Sequence, residues 1–503
     1  MKKIKFFAAA LGLLTFAACS NSDDVFTGSE DLAAEALQDN AITFGTYMGQ
    51  QAQTRGGHAG AMTTDILKYY SSANGEDVGF GVFAYWTGES GDQDYEAKNG
   101  ASSTLAPNFM YNQKVLWNGT KWDYQPVKFW PNDITNSAVD NPSPTATGSD
   151  TYGGKVSFFA YAPYYSGAAD TKGITGFSDR TATGDPIVHY TLATNQSEIV
   201  DLLWGTCGNT TTTNVVGTTN GGVTSAASTY VTTPIDPRST WKEDILKGYT
   251  MNADFTKQLT QGQVKFAFKH ALAKVGGNES GNGLKIIVDV DAEDGSVTGG
   301  TLPSATKVTV KQISIKARSK NSADKYLKNT GAKGDLNLAT GKWTLTGEVT
   351  DTKTDAAEVS YTLPGAGSTL NTSIADVTSP ANWAAIPEGV LTTAKNVFAT
   401  EAQPLVFIPG TKPELDVEIE YVVYTQDAEL SAGWSKVTQK IKRTVEFGSA
   451  VQLNKFYNVT LHLGLTSVKF DATVDAWDAG DVGGASSEGV VVNLPVNVKT
   501  VAP

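Results

Sequence analysis

The sequence predicts an all-β protein built from β-sandwiches. The 503 residues include 50 glycines and many threonines, serines and asparagines, a composition typical of strands joined by turns. Short apolar runs with period-two alternation recur along the chain, and no helical period extends over three turns. Because a chain of this length exceeds what one core accommodates, we expect two sandwiches in tandem.

In the first half, the predicted strands are short apolar runs bounded by turn residues. They lie at residues 79–86, 114–119, 129–131, 155–163 and 201–204. Residues 205–234 are a low-complexity run of threonine, glycine, asparagine and serine. Since few of these groups can form a core, we interpret this run as a long surface insertion.

The second half opens near residue 263 and continues the strand pattern. Predicted strands lie at residues 264–268, 284–290, 308–315, 342–346, 405–409, 455–461 and 467–470. Residues 417–424 and 440–447 are predicted to pair as a hairpin. We place the boundary between the two sandwiches near residue 255, so that the domains comprise residues 56–255 and 256–484.

The C-terminal residues form a predicted strand on a loose tether. Residues 478–489 are rich in glycine and acids, and residues 485–503 form the proposed linker and donor strand. Pro495 lies in this strand and is tolerated where one backbone side is unpaired. A strand tethered in this way can leave its own domain and complete the sheet of another copy. Its alternating apolar residues are Val490, Val492, Leu494, Val496 and Val498.

At the N-terminus the sequence predicts an export signal. Residues 2–5 are basic, residues 6–16 are apolar and too few to span a bilayer, and small residues then precede Cys19. This pattern resembles a bacterial lipobox, so residues 1–18 are the expected signal peptide and Cys19 the expected lipid attachment site. The remaining cysteine, Cys207, would then have no partner for an intramolecular disulfide.

A second short strand is predicted at residues 41–48, with Ile42, Phe44 and Met48 on one face. Arg55 follows it and precedes Gly56 and a glycine-rich loop. A trypsin-like protease would cut such a loop after Arg55. Arginine before glycine is also common in bonds that are never cut, so both interpretations stay open from the local pattern. The N-terminal and C-terminal strands have the same period, so either one fits a single groove.

Motifs that carry chemistry are largely missing from the sequence. The four histidines are scattered, and neither a HExxH, a GxSxG nor a phosphate-loop motif occurs. Residues 289–295 imitate the start of a calcium loop, but Asp294 occupies the position of its glycine, so an acidic turn is favoured. We therefore expect no catalytic residues, no metal and no cofactor. The net charge of −13 argues against nucleic acid as a partner.

Clustered aromatic residues offer a glycan-stacking platform as an alternative to core packing. Aromatic side chains on alternating strands favour the core. The cluster comprises Trp86, Tyr111, Trp117, Trp122, Tyr124 and Trp130.

The order of these motifs resembles that of the fimbrillins, the type V pilins. The resemblance covers nearly the whole chain and is carried by the lipoprotein cysteine, residues 41–45 leading to Arg55, and residues 79–85, 129–131, 158–163, 201–204, 268–272 and 463–477. It implies two transthyretin-like Greek-key sandwiches with an exchangeable N-terminal strand and a C-terminal donor strand.

The resemblance further implies a structural subunit of a fimbrium on the outer membrane and cell surface. An arginine-specific protease would remove residues 19–55, and the donor strand of a neighbouring subunit would fill the emptied groove. The implied partners are other fimbrial subunits in a head-to-tail polymer, the protease, the membrane through the lipid before cleavage, and a receptor on a host or bacterial surface. A fimbrial tip adhesin and a monomeric, lipid-anchored glycan-binding protein are the alternatives.

Overall fold

Strands make up most of the structure, a computed structural model of the chain. It describes residues 41–47, 62, 64–68, 78–86, 105–129, 156–167, 173–194, 198–206, 210–211, 229–230, 263–279, 282–288, 305–328, 332–365, 369–389, 393–399, 405–463 and 468–476. These ranges contain one α-helix, α1 (Thr64–Leu67), and two 3-10 helices, Lys353–Asp355 and Trp383–Ala385.

The strands fall into two successive series along the chain. The first series is β1 Thr43–Tyr47, β2 Phe80–Trp86, β3 Met110–Trp117, β4 Trp122–Asp123, β5 Val156–Ala162, β6 Ile174–Phe177, β7 Ile187–Thr191, β8 Leu203–Thr206, β9 Thr210–Thr211, β10 Thr229–Tyr230 and β11 Gln263–His270. The second is β12 Ala273–Val275, β13 Asn278–Glu279, β14 Asn282–Val288, β15 Thr306–Lys320, β16 Tyr326–Leu327, β17 Lys333–Asn337, β18 Trp343–Leu345, β19 Val349–Thr350, β20 Glu358–Leu363, β21 Lys395–Asn396, β22 Leu405–Phe407, β23 Lys412–Gln426, β24 Trp434–Glu446, β25 Lys455–Leu463 and β26 Val468–Ala476.

A seven-stranded sheet in the order β1-β11-β8-β5-β2-β3-β4 forms the first half. Its central strands β2 and β5 are buried on both faces, which is why their sequences are continuous apolar runs rather than alternating ones. A four-stranded sheet, β18-β17-β7-β6, supplies further residues to the same core. The core of the first half is therefore built from aromatic and aliphatic side chains of two sheets.

The second core lies between a sheet built around β14, β25 and β12 and a six-stranded sheet built around β15, β23 and β24. The predicted hairpin is confirmed: β23 and β24 pair antiparallel, with Val417 opposite Arg443 and Tyr424 opposite Lys436. Its strands extend beyond the predicted residues because both continue in register from Lys412 to Glu446. The all-β prediction is confirmed, and the Greek-key topology stays a prediction.

The first core includes residues from both sides of the predicted boundary near residue 255. The first core extends to Leu272 and also takes in residues from 327 to 339, since β17 pairs with β7. The second core begins at Ala273, and both lie within one unit, Asn40–Pro503. The predicted domain limits themselves stay predictions.

Within the described residues, no helix is long and apolar enough to cross a bilayer. The same ranges contain no group of three or more histidine, cysteine, aspartate or glutamate side chains that could hold a metal ion. In the predicted insertion, β9 and β10 pair with each other antiparallel.

Candidate functional site

Strand β1 occupies one end of the first sheet, in a groove that we call the β1 groove and define by Phe80, Trp122, Tyr124, Phe158 and Phe266. Alternation along the strand directs every second side chain into this groove. The inward side chains in the described range are Ile42, Phe44 and Thr46, and all three are buried. Met48, which the sequence places on the same face, lies outside the described residues.

Aromatic packing accounts for the apolar part of the groove. The ring of Phe44, which is 3% exposed, contacts four other rings with centroid distances between 5.2 and 6.2 Å. Edge-to-face and tilted pairs of this kind stabilise the strand beyond simple burial. The four partners are Phe80, Tyr124, Phe158 and Phe266.

The backbone of β1 is held on two sides. On one side it pairs in parallel with β11, with Thr43 opposite Gln263 and Tyr47 opposite Ala267. On the other side the N–H of Ile42 donates to the carbonyl of Lys128 at 2.9 Å. Ala41 forms an antiparallel bridge with Phe129. The strand is therefore inserted between β11 and the segment that follows β4.

Two hydrogen bonds from groove side chains reach β1. The hydroxyl of Tyr124 donates to the carbonyl of Ile42 at 2.9 Å. Burial raises the pKa of Tyr124 to about 12, so this hydroxyl stays a neutral donor at physiological pH. The indole Nε1–H of Trp122 donates to Thr46 Oγ1 at 3.1 Å. Because β1 and β4 are the two end strands of the sheet, this bond shows that the sheet curls until its ends meet.

After the groove, the chain returns to the core at Met62. Met62 is 1% exposed, and its backbone N–H donates to Asp201 Oδ2 at 2.9 Å. The same carboxylate lies 2.5 Å from His270 Nδ1. Arg55 and Gly56 therefore lie, in sequence, between the inserted strand and the point at which the chain is again anchored.

Sequence reasoning missed several of these residues. Thr46 and Trp122 were not singled out as a pair, and the contact between Asp201 and His270 joins two motifs that lie far apart in the chain. Asp201 and His270 each adjoin an apolar run, but nothing in either motif indicates the other. The roles predicted for Cys19, Arg55, Gly56, Met48 and the strand Val490–Val498 stay predictions, because these residues lie outside the described ranges.

The aromatic cluster is largely part of the core. Trp122 and Tyr124 are buried, and Trp86, Tyr111 and Trp117 are partly buried against the first core. Trp130 lies outside the described residues. This placement favours packing over a glycan platform for the five described members.

Comparison with known proteins identifies similar fimbrial subunits. No protein-family model matches the chain. The chain is 30% identical over 206 residues to the fimbrium subunit Fim1C of Phocaeicola vulgatus, covering 40% of this chain and 42% of that protein. The chain thus matches less than half the length of this curated relative.

A solved structure covers more of the fold. The crystal structure of a fimbrial protein from Bacteroides vulgatus matches with a TM-score of 0.51 and 19% identity, over 87% of this chain and 99% of that chain. This match shows a shared fold. Together the two comparisons confirm the resemblance to fimbrial subunits that the order of motifs predicts.

Proposed function

We propose that this protein is a structural subunit of a cell-surface fimbrium and that it polymerises by strand exchange. In this proposal the chain is exported as a lipoprotein through Cys19 and cut after Arg55. The cut releases residues 19–55, including β1. The strand Val490–Val498 of a second copy then enters the β1 groove. The similarity to fimbrial subunits supports the structural role and the surface location.

The single observation that carries the exchange is the position of β1. It is a short terminal strand of the sheet, yet it supplies core side chains, and residues 48–61 separate it in sequence from the buried Met62. Its loss would leave the aromatic groove open while the other six strands keep their pairing. A strand with these properties is replaceable without rebuilding the sandwich.

The energetics favour exchange only after cleavage. The buried side chains Ile42 and Phe44 each stabilise the resident strand by about 1.5–3 kcal/mol. If all five were buried, the apolar donor residues would contribute at most roughly 7–15 kcal/mol gross, against a rigid-body cost of about 4–15 kcal/mol. A covalently attached β1 competes at high effective concentration. Cleavage removes this competitor and leaves the groove to the donor.

The contact generated in this way is heterologous. The groove of one copy receives the tail of the next, so the two surfaces differ and the interaction does not close on itself. A linear filament is the expected product.

An arginine-specific protease tests the proposal. Trypsin is less suitable because it would also cut after Lys499 in the donor strand. Treatment of the full chain should yield a new N-terminus at Gly56 and filaments visible by electron microscopy. The Arg55→Gln variant should stay monomeric. A chain truncated before Val490 should be cut and yet fail to extend, and filaments from this truncated chain would show that the donor assignment is wrong.

The glycan-binding alternative receives less support. Trp122 and Tyr124 face the groove and are buried, so they are not available to stack on a sugar. The other alternative, a tip adhesin, would use the same β1 groove, so the groove does not distinguish a tip subunit from a stalk subunit.

A further inference from the structure

Trp122 places a polar requirement on any strand that fills the β1 groove. Its indole is buried, and its Nε1–H is satisfied by Thr46 Oγ1 at 3.1 Å. If an aliphatic side chain took the place of Thr46, a buried donor would lose its acceptor. The occupant therefore needs an acceptor at this position.

The C-terminal tail contains one such side chain on the same strand face as the apolar donor residues. Continuing the apolar series beyond Val498 by two residues leads to Thr500. The other polar residues between Val490 and Thr500 are Asn493, Asn497 and Lys499, and all three lie on the opposite face of the strand. A register that turned them inward would bury an amide or ammonium group in the aromatic groove.

The backbone of the groove places a second, independent requirement on the occupant. Ile42 directs its N–H to Lys128 and its carbonyl to Tyr124. Because backbone groups alternate sides along a strand, the N–H groups of positions 43, 45 and 47 face β11. Proline has no N–H and is excluded from such positions in a ladder.

One register meets both requirements. We propose that Thr500 of a second copy takes the place of Thr46, with the donor strand running parallel to β11. Val496 and Val498 then replace Ile42 and Phe44. This inference rests on the strand exchange proposed above and adds to it the register and direction of the donor.

The backbone requirement is also met in this register. Asn497, Lys499 and Val501 occupy the three positions that face β11, and each has an N–H. Pro495 occupies the position of Ala41, which precedes the first ladder pair with β11. The proline therefore occupies none of the described ladder positions with β11.

The register that places Leu494 in the site of Phe44 fails both requirements. It sets Val496 against Trp122 and Pro495 at the position of Gly45, which pairs with Lys265 of β11. Its gain is one methylene group at the site of Phe44 and a methyl group in place of the hydroxyl at the site of Thr46. This gain is smaller than the cost of an unpaired indole and a missing ladder bond. Residues 490–503 contain no glycine, so every register places a side chain at Gly45 and this position does not discriminate between them.

Cross-linking between copies tests the register directly. Full-length subunits carry Cys207→Ser together with Lys265→Cys, Lys499→Cys or Pro495→Cys, and are mixed in pairs after cleavage by an arginine-specific protease. The proposed register places residue 499 opposite residue 265, so the Lys265→Cys and Lys499→Cys pair should form disulfide-linked dimers. The Lys265→Cys and Pro495→Cys pair should not.

Each result has a distinct meaning. Cross-linking through residue 495 instead of residue 499 would overturn the register while leaving strand exchange intact. Filaments with neither cross-link would also overturn it. Absence of filaments from cleaved chains that carry only Cys207→Ser would contradict the proposed function itself.

A double-mutant comparison tests the role of Trp122. Thr500→Val should slow filament extension about tenfold, and Thr500→Ser should restore it. In Trp122→Phe subunits, which have no indole donor, Thr500→Val should have no further effect. Circular dichroism of each subunit checks that it is folded. Extension of Thr500→Val at the rate of the unmodified chain would overturn the inference.

Discussion

The backbone N–H of Met62 donates to the carboxylate of Asp201 across 139 residues of sequence. The same carboxylate binds His270, which is 1% exposed. One buried side chain thus ties the chain that follows the predicted cleavage site to β11. This tie lies downstream of Arg55, so it belongs to the part of the protein that remains after the proposed cut.

Asp201→Ala should destabilise the protein by about 3 kcal/mol, because it leaves both the Met62 N–H and the His270 ring without their buried acceptor. Urea unfolding of the full chain measures this change. Asp335→Ala is the matched control, since Asp335 contacts His189 at 2.7 Å in a pair that is partly exposed. Its effect should stay below about 1 kcal/mol, and equal losses for the two variants would contradict the buried role of Asp201.

Phe44→Ala should lower the stability of the uncut chain by about 3–5 kcal/mol, because it opens a cavity among four aromatic rings. Under the proposed function, residue 44 leaves with the released segment. The stability of filaments made from this variant should therefore equal that of the unmodified protein. Urea unfolding of uncut subunits and filaments provides both values.

Phe266→Ala is the corresponding control on the groove wall. Phe266 stacks on Phe44 but belongs to β11, so it remains after cleavage. This variant should weaken the uncut subunit and the filament alike. If Phe44→Ala weakened filaments as strongly as Phe266→Ala, β1 would still be present in them.

Acid should weaken the six-stranded sheet through Glu414. Burial alone would raise the pKa of Glu414, but hydrogen bonds from Lys320, Lys353 and Tyr326 outweigh burial and lower it below 4.5. The stabilisation is therefore complete above the pKa of the unfolded chain and is lost as the pH falls through the folded-state pKa. Glu414→Gln should cost about 2 kcal/mol at pH 7 and should reduce the acid sensitivity of unfolding.

The control for this effect is Glu348→Gln. Glu348 also pairs with a lysine, Lys328, but the pair is exposed. Its replacement should leave both the stability at pH 7 and the acid dependence unchanged. Acid dependence that persisted in full in Glu414→Gln would assign the effect to other carboxylates.

Alkali should loosen β1 through Tyr124. Its pKa is raised from 10.0 to about 12, so the neutral hydroxyl stabilises the fold fully below pH 10, and this contribution is lost as the pH rises toward 12. The uncut chain should therefore lose about 2 kcal/mol more over this range than Tyr124→Phe does. Parallel pH profiles for the two chains would contradict this assignment.

Local patterns in the sequence predicted where the strands lie, but they did not predict which distant strands pair with each other. The continuous apolar runs of β2 and β5 and the hairpin of β23 and β24 could be identified because each signal lies within a few residues. Alternation in residues 41–48 predicted a strand and its apolar face. It did not reveal the partner of that strand, because the ladder between Thr43 and Gln263 joins distant parts of the chain.

The polar contacts of the groove were beyond prediction for the same reason. Thr46 lies on the same face of the strand as the core residues Ile42 and Phe44, but only the curl of the sheet brings Trp122 to it. Likewise, nothing near Asp201 in the sequence indicates His270 or Met62. Pairing across long separations depends on the closed topology, which composition and period do not specify.

The parallel ladder of β1 and β11 has a consequence for biogenesis. The two strands are far apart in sequence, so β1, which is synthesised first, cannot complete its pairing until β11 has also been made. Until then the aromatic side chains of the β1 groove are exposed and can form incorrect contacts with other chains. Under the proposed function, cleavage before β1 is seated would leave the subunit incompletely folded, so the proposed protease should act only on the folded chain.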